Sequence, residues 1–271
     1  MLKGKNIGLV GGGNMAEALI KGLILSKICS SDRLFVSDIR SERLDYLKRT
    51  YSIKAFKDNA EMVSQSDIII LAVKPQDIKT AISEFRDALR DETLIISIAA
   101  GITTAFLKQC LAKKIPTIRV MPNTAALALA SMSAISKGPY ATDGHLEMAE
   151  ALFRGIGETL VLPEKMMDAV TGLSGSGPAY ICLFIEGLVD GGVKMGLTRE
   201  VALKLAIQTV FGTGKLLKET GEHPAILKEK VASPGGTTIF GLHALEVARV
   251  KGALVSAVEA ATKQSQALGK K

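Results

Sequence analysis

The chain has no tryptophan, and aromatic residues make up only 4% of its 271 positions. Nucleic-acid platforms stack bases on aromatic rings, so no nucleic-acid partner is expected. The net charge of +7 is spread over scattered basic residues, with no long run before Lys270 and Lys271 at the end. A solvated basic surface accounts for that pattern. Cysteine is scarce as well. Cys29, Cys110 and Cys182 are odd in number and far apart, with the spacing of neither a disulfide framework nor a metal site. Each is expected to be a small buried apolar residue in a soluble, reducing, cytoplasmic protein. Long apolar runs are missing too. Three glycines interrupt residues 7–10 at once, and stretch 179–193 contains Glu186 and Asp190 and is too short to span a bilayer, so no membrane partner is expected. Acid–base machinery is also lacking. His145, His223 and His243 stand alone as surface or structural residues, and there is no H-E-x-x-H, serine elbow or carboxylate pair. No bound metal is expected. A reaction whose hard step is carried by a cofactor fits these absences.

What is present is alternation. Short β-branched runs at 6–10, 33–37, 67–73, 93–98, 117–121 and 132–136, with a weaker one at 159–162, read as strands. Amphipathic stretches at 15–26, 41–51, 76–89, 103–113 and 142–155 read as the helices between them. Strands as continuously apolar as Ile68, Ile69, Ile70 and Leu71 belong to a sheet covered on both faces. The fold class expected is therefore α/β, a Rossmann-type doubly wound parallel sheet, over residues 1–163. No strand is expected after Pro163. Helices are expected at 178–195, 199–219, 224–231, 238–250 and 252–268, interrupted by Gly191, Gly192, Gly212 and Gly214. This second domain, 164–271, is expected to be all-helical and apolar enough to bury a face against another subunit.

Gly11, Gly12, Gly13, Asn14, Met15 and Ala16 sit between the first strand and the first helix and fit G-x-G-x-x-A. Gly11 permits a sharp turn, Gly13 permits backbone to approach a pyrophosphate, and the helix start offers N–H groups to that anion. Glycine turns also arise for structural reasons alone. Here the position, and Asp38 after the second strand, favour dinucleotide binding. Three more loops lie at the carboxyl ends of strands: Ala72, Val73, Lys74 and Pro75; Ile98, Ala99 and Ala100; and Met121, Pro122, Asn123 and Thr124. Small residues at Ala99 and Ala100 leave room for a ring. Lys74 fits either a phosphate contact or a solvated loop.

Ser233, Pro234, Gly235, Gly236, Thr237 and Thr238 precede a helix, with Thr237 or Thr238 as the expected N-cap. Two glycines after proline exceed what capping needs, so this turn is expected to seat a small carboxylate. Residues 174–178 read as a second such turn, with Pro178 at the first helical position.

Along essentially its whole length the chain resembles pyrroline-5-carboxylate reductase. The segment Leu227-Lys228-Glu229-Lys230-Val231-Ala232-Ser233-Pro234-Gly235-Gly236-Thr237-Thr238, followed by Ala244-Leu245-Glu246, is similar to that family's signature. The loops beginning at Gly11, Ala72, Met121 and Gly175 support it. The resemblance implies reduction of a small imino acid, 1-pyrroline-5-carboxylate, to L-proline with NAD(P)H, the last step of proline biosynthesis. It implies a helical dimerisation domain and a homodimer that assembles further in some members. By position it implies cofactor contacts from Val10, Gly11, Gly12, Gly13, Asn14 and Met15, from Asn59, from Ala72, Val73, Lys74 and Pro75, and from Ile98, Ala99 and Ala100. It implies that Ser233, Gly236, Thr237 and Thr238 hold the substrate carboxylate, with Asn123 beside it. Thr238 is the catalytic candidate, its hydroxyl meeting the imine nitrogen. The family usually places proline and later glycines where this chain has Ala125, Leu129 and Ser131, a departure beside the substrate loop.

On cofactor choice the residues leave two readings. Asp38 suits the ribose hydroxyls of NAD(H), whereas Arg40 and Arg43 suit the 2′-phosphate of NADP(H). Family members commonly accept NADPH, so the resemblance implies NADP(H), with NAD(H) accepted. Two alternatives stand beside the reductase. A β-hydroxyacid dehydrogenase would use Lys194 as its acid–base, and a non-catalytic dinucleotide sensor would not need the Ser233–Thr238 turn.

Overall fold

Ile68, Ile69, Ile70 and Leu71 are all buried, and they alternate between two separate cores. They form β4 (Ile68–Leu71) near the middle of one sheet. The computed structural model describes residues 2–269, so Met1 and the basic end at Lys270 and Lys271 lie outside the described residues. The chain divides into residues 2–176 with 260–269 as one unit, and Gly177–Glu259 as another.

The first unit holds an eight-stranded sheet. Its strands are β1 (Ile7–Val10), β2 (Leu34–Ser37), β3 (Lys54–Phe56), β4, β5 (Leu94–Ser97), β6 (Thr117–Met121), β7 (Ser131–Lys137) and β8 (Gly157–Val161). They lie in the order β3-β2-β1-β4-β5-β6-β7-β8, parallel except where β7 runs against β6. The order reverses between β1 and β4, so loops at the carboxyl ends of β1, β2, β4 and β5 open onto one crevice. Helices α1 (Asn14–Leu25), α2 (Ser41–Tyr51) and α6 (Asp143–Arg154) cover one face with Leu19, Leu47 and Phe153. On the other, α3 (Asn59–Ser64), α4 (Ile78–Phe85) and α5 (Thr104–Leu111) contribute Met62, Ile82 and Leu107.

Two elements escape the periodicity. Strand β3 is a three-residue edge, too short to show alternation. Helix α3 has six residues, although Asp58 caps it by accepting the Glu61 N–H at 2.9 Å, and that D-x-x-E spacing is a legible signal. The helix expected at 76–89 is α-helical only over Ile78–Phe85, with 3-10 turns on either side.

The second half is helical throughout its described residues, as α7 (Met167–Val170), α8 (Gly177–Lys194), α9 (Arg199–Thr220), α10 (Pro224–Val231), α11 (Thr237–Val247) and α12 (Val250–Leu268). Several expectations need correction here. Gly212 and Gly214 lie inside an unbroken α9, and Gly191 and Gly192 inside α8. At Gly192 a methyl group would stand 3.1 Å from Ala202 Cβ, so the glycine serves close packing of α8 on α9 rather than a break. The break occurs instead at Arg249, whose φ of 55° separates α11 from α12. Residues 174–178 are not an open turn. Thr171–Gly175 is a π-helical turn in a continuous run, closed by the Ser176 N–H on Thr171 O at 2.9 Å. Pro178 has no N–H and its ring would crowd the Ser174 carbonyl in a regular helix, which the widened turn relieves.

That continuity also overturns the length argument against a membrane span. The helical run Glu164–Lys194 has 31 residues and contains an 18-residue window with a mean hydropathy of 1.2, long and apolar enough by those measures to cross a bilayer. Its first part is otherwise engaged, because Met167 and Thr171 are buried in the α/β unit. Cys182 corrects a further expectation. It is exposed on α8, whereas Cys29 is buried and Cys110 half-buried; all three are free.

The unit Gly177–Glu259 has a meagre core, with Val189, Ala202 and Ala206 buried. Leu183, Phe211, Phe240 and Val247 are each more than 60% exposed, an apolar surface of the kind that marks an interface.

Arg119 on β6 is buried, its side chain 3% exposed, with Glu164 and Asp168 each 3.5 Å from its guanidinium. Glu164 also accepts the Thr104 N–H at 2.7 Å, and Asp168 accepts the Ser265 hydroxyl at 2.8 Å. Arg119→Met should leave two half-buried carboxylates without their cation and lower stability by about 3 kcal/mol. Urea unfolding at a fixed protein concentration measures it, and a loss below about 1 kcal/mol would place the pair among weak surface bridges.

Candidate functional site

The glycine loop is built from both sides. Gly11 has φ 97°, and a methyl group there would lie 2.9 Å from Val73 and 3.0 Å from Ala72. At Gly12 one would lie 3.0 Å from Leu47. Both glycines are therefore required by the protein's own packing. Gly13 differs: its φ is −68°, and nothing lies within 4 Å of where a Cβ would stand. Neither strain nor contact calls for glycine at that position. The space over it is open at the start of α1.

The hydrogen bonds of the loop point the same way. Gly11 N–H donates to Ser37 O, and Gly12 N–H to Asp38 Oδ2 at 2.8 Å. Arg43 donates to the Gly12 and Gly13 carbonyls and pairs with Glu17, which also accepts the hydroxyls of Tyr46 and Tyr51. Burial works to raise the Glu17 carboxyl, but Arg43, Tyr51 and Tyr46 outweigh it and hold the group below its ordinary range. The first N–H satisfied inside α1 is that of Glu17, on Gly13 O. The N–H groups of Asn14, Met15 and Ala16 are left at the helix start as an anion seat.

Asp38 is not a cap for α2. The N-cap position is Arg40, with no side-chain capping bond. Asp38 instead accepts the Arg40 N–H at 2.9 Å and takes its Nε and Nη2 at 3.0 Å each. Burial tends to raise the Asp38 carboxyl; the bonds from Arg40 and Gly12 prevail and lower it. Arg40 remains 60% exposed beside a cavity of about 590 Å3 that Ser41, Glu42, Arg43 and Tyr46 also line. Arg43 is committed to the loop, so Arg40 is the cation available there.

The remaining loop residues differ in how far they are free. Lys74 is exposed. Ala99 is buried in the core, so the loop 98–100 presents backbone and the half-buried Ala100. The Asn59 amide spends its oxygen and one of its two N–H groups within the chain, accepting the Ser37 hydroxyl at 2.6 Å and donating to Glu84 at 2.6 Å. Asn123 is likewise engaged. Its Oδ1 caps the 3-10 turn Thr124–Ala128, and its Nδ2 donates to Ser174 O and Oγ at 3.2 Å. That carbonyl is the one a residue at 178 would satisfy if it were not proline, so Asn123 completes the π-turn. Leu129 has φ 57°, a left-handed conformation in which glycine is easier. Ser131 is buried, and its Oγ accepts the Asn123 N–H at 3.1 Å.

The turn before α11 also corrects the sequence reading. Gly236 N–H closes on Ser233 O at 3.1 Å, with Pro234 second and Gly235, φ 66°, third. These are the preferences of a type II turn. Turn geometry thus accounts for Gly235, and Gly236 is crowded by Ser233 Oγ. The N-cap is Gly236, without any side-chain capping bond, and Thr237 and Thr238 lie inside the helix. The N–H groups of Thr237 and Thr238 and the Thr238 hydroxyl carry no partner among the described residues.

The histidines have other duties. His145 closes a capping box with Thr142, His223 caps α10, and His243 is exposed. Burial, then the charge of Lys5, lowers the His145 pKa, in keeping with an Nδ1 that accepts the Thr142 N–H. Lys194 is exposed in the last turn of α8, where a cation suits the helix end.

Comparison with known proteins agrees with this architecture. The family description pyrroline-5-carboxylate reductase dimerisation matches residues 164–268, and NADP oxidoreductase coenzyme F420-dependent matches residues 6–101. The chain is 45% identical to the pyrroline-5-carboxylate reductase of Synechocystis sp., covering 98% of each. A pyrroline-5-carboxylate reductase structure from Coxiella burnetii superposes with a TM-score of 0.92 at 33% identity, over 98% of this chain and 99% of the other. A Plasmodium falciparum pyrroline carboxylate reductase solved with NADP bound gives 0.89 at 31%, over 98% and 99%.

The contrast among the glycines yields a paired test. Gly13→Val should keep the wild-type melting temperature and lose reduced-nicotinamide binding by roughly a hundredfold, as the side chain fills the anion seat. Gly11→Ala should instead lower the melting temperature. Nicotinamide fluorescence and thermal melting read the two, and unchanged affinity in Gly13→Val would remove the loop from the cofactor site.

Proposed function

The chain belongs to the pyrroline-5-carboxylate reductase family, and we propose that it reduces 1-pyrroline-5-carboxylate to L-proline, the last step of proline biosynthesis, at the expense of a nicotinamide dinucleotide. The observation that carries this reading onto these residues is the open seat over Gly13 at the start of α1. When bound, the nicotinamide would supply the hydride for the imine carbon.

The chain's own part is binding and orientation. Val10 and Gly11 to Met15 present the pyrophosphate seat, and Ala72 to Pro75, Asn59 and Ile98 to Ala100 complete the cofactor crevice. The Thr237 and Thr238 N–H groups seat the substrate carboxylate, because Gly236 has spent its own on Ser233. Ser233 shapes that seat, and Asn123 fixes the π-turn through Ser174. A carboxylate held on two N–H groups fixes the ring's orientation toward the hydride donor, a contribution that comes from positioning. The Thr238 hydroxyl holds the proton of the protonated imine nitrogen, which keeps the carbon electrophilic without a strong general acid.

The helical half acts as a homodimer, supported by the dimerisation description matching 164–268 and by the exposed apolar residues of Gly177–Glu259. The free cysteines support a reducing, cytoplasmic setting. NADP(H) is the preferred cofactor, with NAD(H) accepted. The support is Arg40, whose guanidinium pairs with Asp38 yet is 60% exposed and lines the cavity where a 2′-phosphate would lie.

Nicotinamide oxidation with pyrroline-5-carboxylate tests the reading directly, and activity on hydroxyacids instead would overturn it. In that assay Thr238→Ala should lower kcat/KM by about 1.5–3 kcal/mol, the worth of a hydrogen bond to a charged ligand. Its melting should stay unchanged, since Thr238 is no cap; a lower melting temperature with intact kinetics would refute its catalytic role. Arg40→Ala should raise KM for NADPH about tenfold relative to KM for NADH, as expected for loss of a charge-assisted pair. An unchanged ratio would return the pocket to Asp38.

A further inference from the structure

The last turns of α12 belong with the sheet unit, although they follow the helical half in sequence. They are held there at two points. Ser265, 2% exposed, donates to Asp168, and Asp168 pairs with Arg119. Arg119 is the sheet neighbour of Ser97, the last residue of β5 before the loop 98–101. The second point is the far end of that same loop. A methyl group on Gly101 would come within 3.0 Å of Leu268 Cβ and 3.4 Å of Gly269 N, and one on Gly269 within 2.8 Å of Gly101 O. Gly101 is buried by this packing.

The loop between these points has little of its own to fix it. Ile98 N–H reaches Leu71 O at 3.2 Å, Ala99 N–H reaches Ser97 Oγ at 3.3 Å, and Ile102 N–H reaches Ala99 O at 3.4 Å. The last two are long for hydrogen bonds of this kind. Small residues that offer backbone to a ring must be held in place by what lies behind them.

We infer that the end of α12, through Leu268 on Gly101 and Ser265 on Asp168, is a positioning element for the cofactor loop 98–100. It touches neither cofactor nor substrate and acts through the loop's backbone. The inference rests on the reading that residues 98–100 face the nicotinamide ring. A small displacement of that backbone alters the approach of the ring while leaving the sheet intact, and catalysis is sensitive to such displacements.

The test uses the full chain with Leu268→Asp and with Leu268→Gly, which removes the Cβ that meets Gly101. Leu268 is 43% exposed, so both variants should fold. Leu268→Asp should raise KM for NADPH roughly tenfold and lower kcat, and Leu268→Gly should raise KM by about threefold, with KM for pyrroline-5-carboxylate and melting unchanged in both. A purely structural contact would lower the melting temperature and leave KM for NADPH alone; that result, or no change at all, overturns the inference. If Leu268→Asp fails to fold, an unaltered KM in Leu268→Gly has the same force. Gly13→Val separates the failures. Should it bind NADPH normally, the cofactor reading falls and takes this inference with it; should it lose binding while the Leu268 variants keep it, only this inference falls.

Discussion

Arg119 carries a permanent charge into the α/β unit, where a guanidinium must be met by carboxylates. The sheet supplies none at that point. Glu164 and Asp168 arrive from the root of the helical run, and each brings another segment with it: Thr104 at the start of α5 through Glu164, and Ser265 on α12 through Asp168. One buried cation therefore decides where the helical run begins and where the end of the described chain is fastened. The Met121–Asn123 loop starts two residues beyond Arg119 on the same strand, and Asn123 in turn holds Ser174 of the π-turn. The strand β6 and the loop that follows it are thus tied to the helical run twice, once by charge and once by an amide.

A related economy governs the glycine loop. Asp38 takes the Gly12 N–H and Arg43 takes the Gly12 and Gly13 carbonyls, so these loop groups are satisfied from within the chain. Arg43 is held for that work by Glu17, which Tyr46 and Tyr51 also hold. The N–H groups that remain are those at the start of α1. The anion seat is created by what the surrounding side chains have already used. The same logic applies to Arg40 and Asp38. Their pairing leaves the carboxylate nearly buried and the guanidinium outermost, which presents positive charge toward the cavity, as a phosphate would need.

Much of this was legible in the sequence, and the exceptions have physical causes. Strands buried on both faces announce themselves as apolar runs, and a helix of two turns or more as periodicity, so most of the mainly parallel sheet followed from pattern alone, whereas the return of residues 260–269 to the sheet unit leaves no such pattern. The edge strand β3 is too short to show a period, and α3 revealed itself only in its cap. In the Ser233–Thr238 segment a type II turn accounts for Gly235 and Gly236 is the N-cap of α11, a division that composition cannot show because it does not distinguish a turn's needs from a ligand's. Pro178 looked like a helix start because the π-turn that accommodates it leaves no mark in spacing. Arg119 was invisible for another reason. Its partners lie 45 and 49 positions away, and nothing local distinguishes a buried arginine on a strand from a solvated one.

The helical half shows how assembly and chemistry are linked. With only Val189, Ala202 and Ala206 buried, Gly177–Glu259 cannot gain much stability from its own interior. Its large apolar residues, Phe211 and Phe240 among them, lie outside that interior. Yet the carboxylate seat proposed at Thr237 and Thr238 lies on α11, whose residues are nearly all exposed in the lone chain and none of which is buried. A carboxylate seat made of two N–H groups is useful only if the helix bearing them is rigid, since positioning is what it contributes. On the proposed reading that rigidity would come from burial of the surrounding apolar faces against another copy, in keeping with the dimerisation description that matches 164–268. Dimerisation would then be a condition for holding substrate, not an addition to a site complete without it.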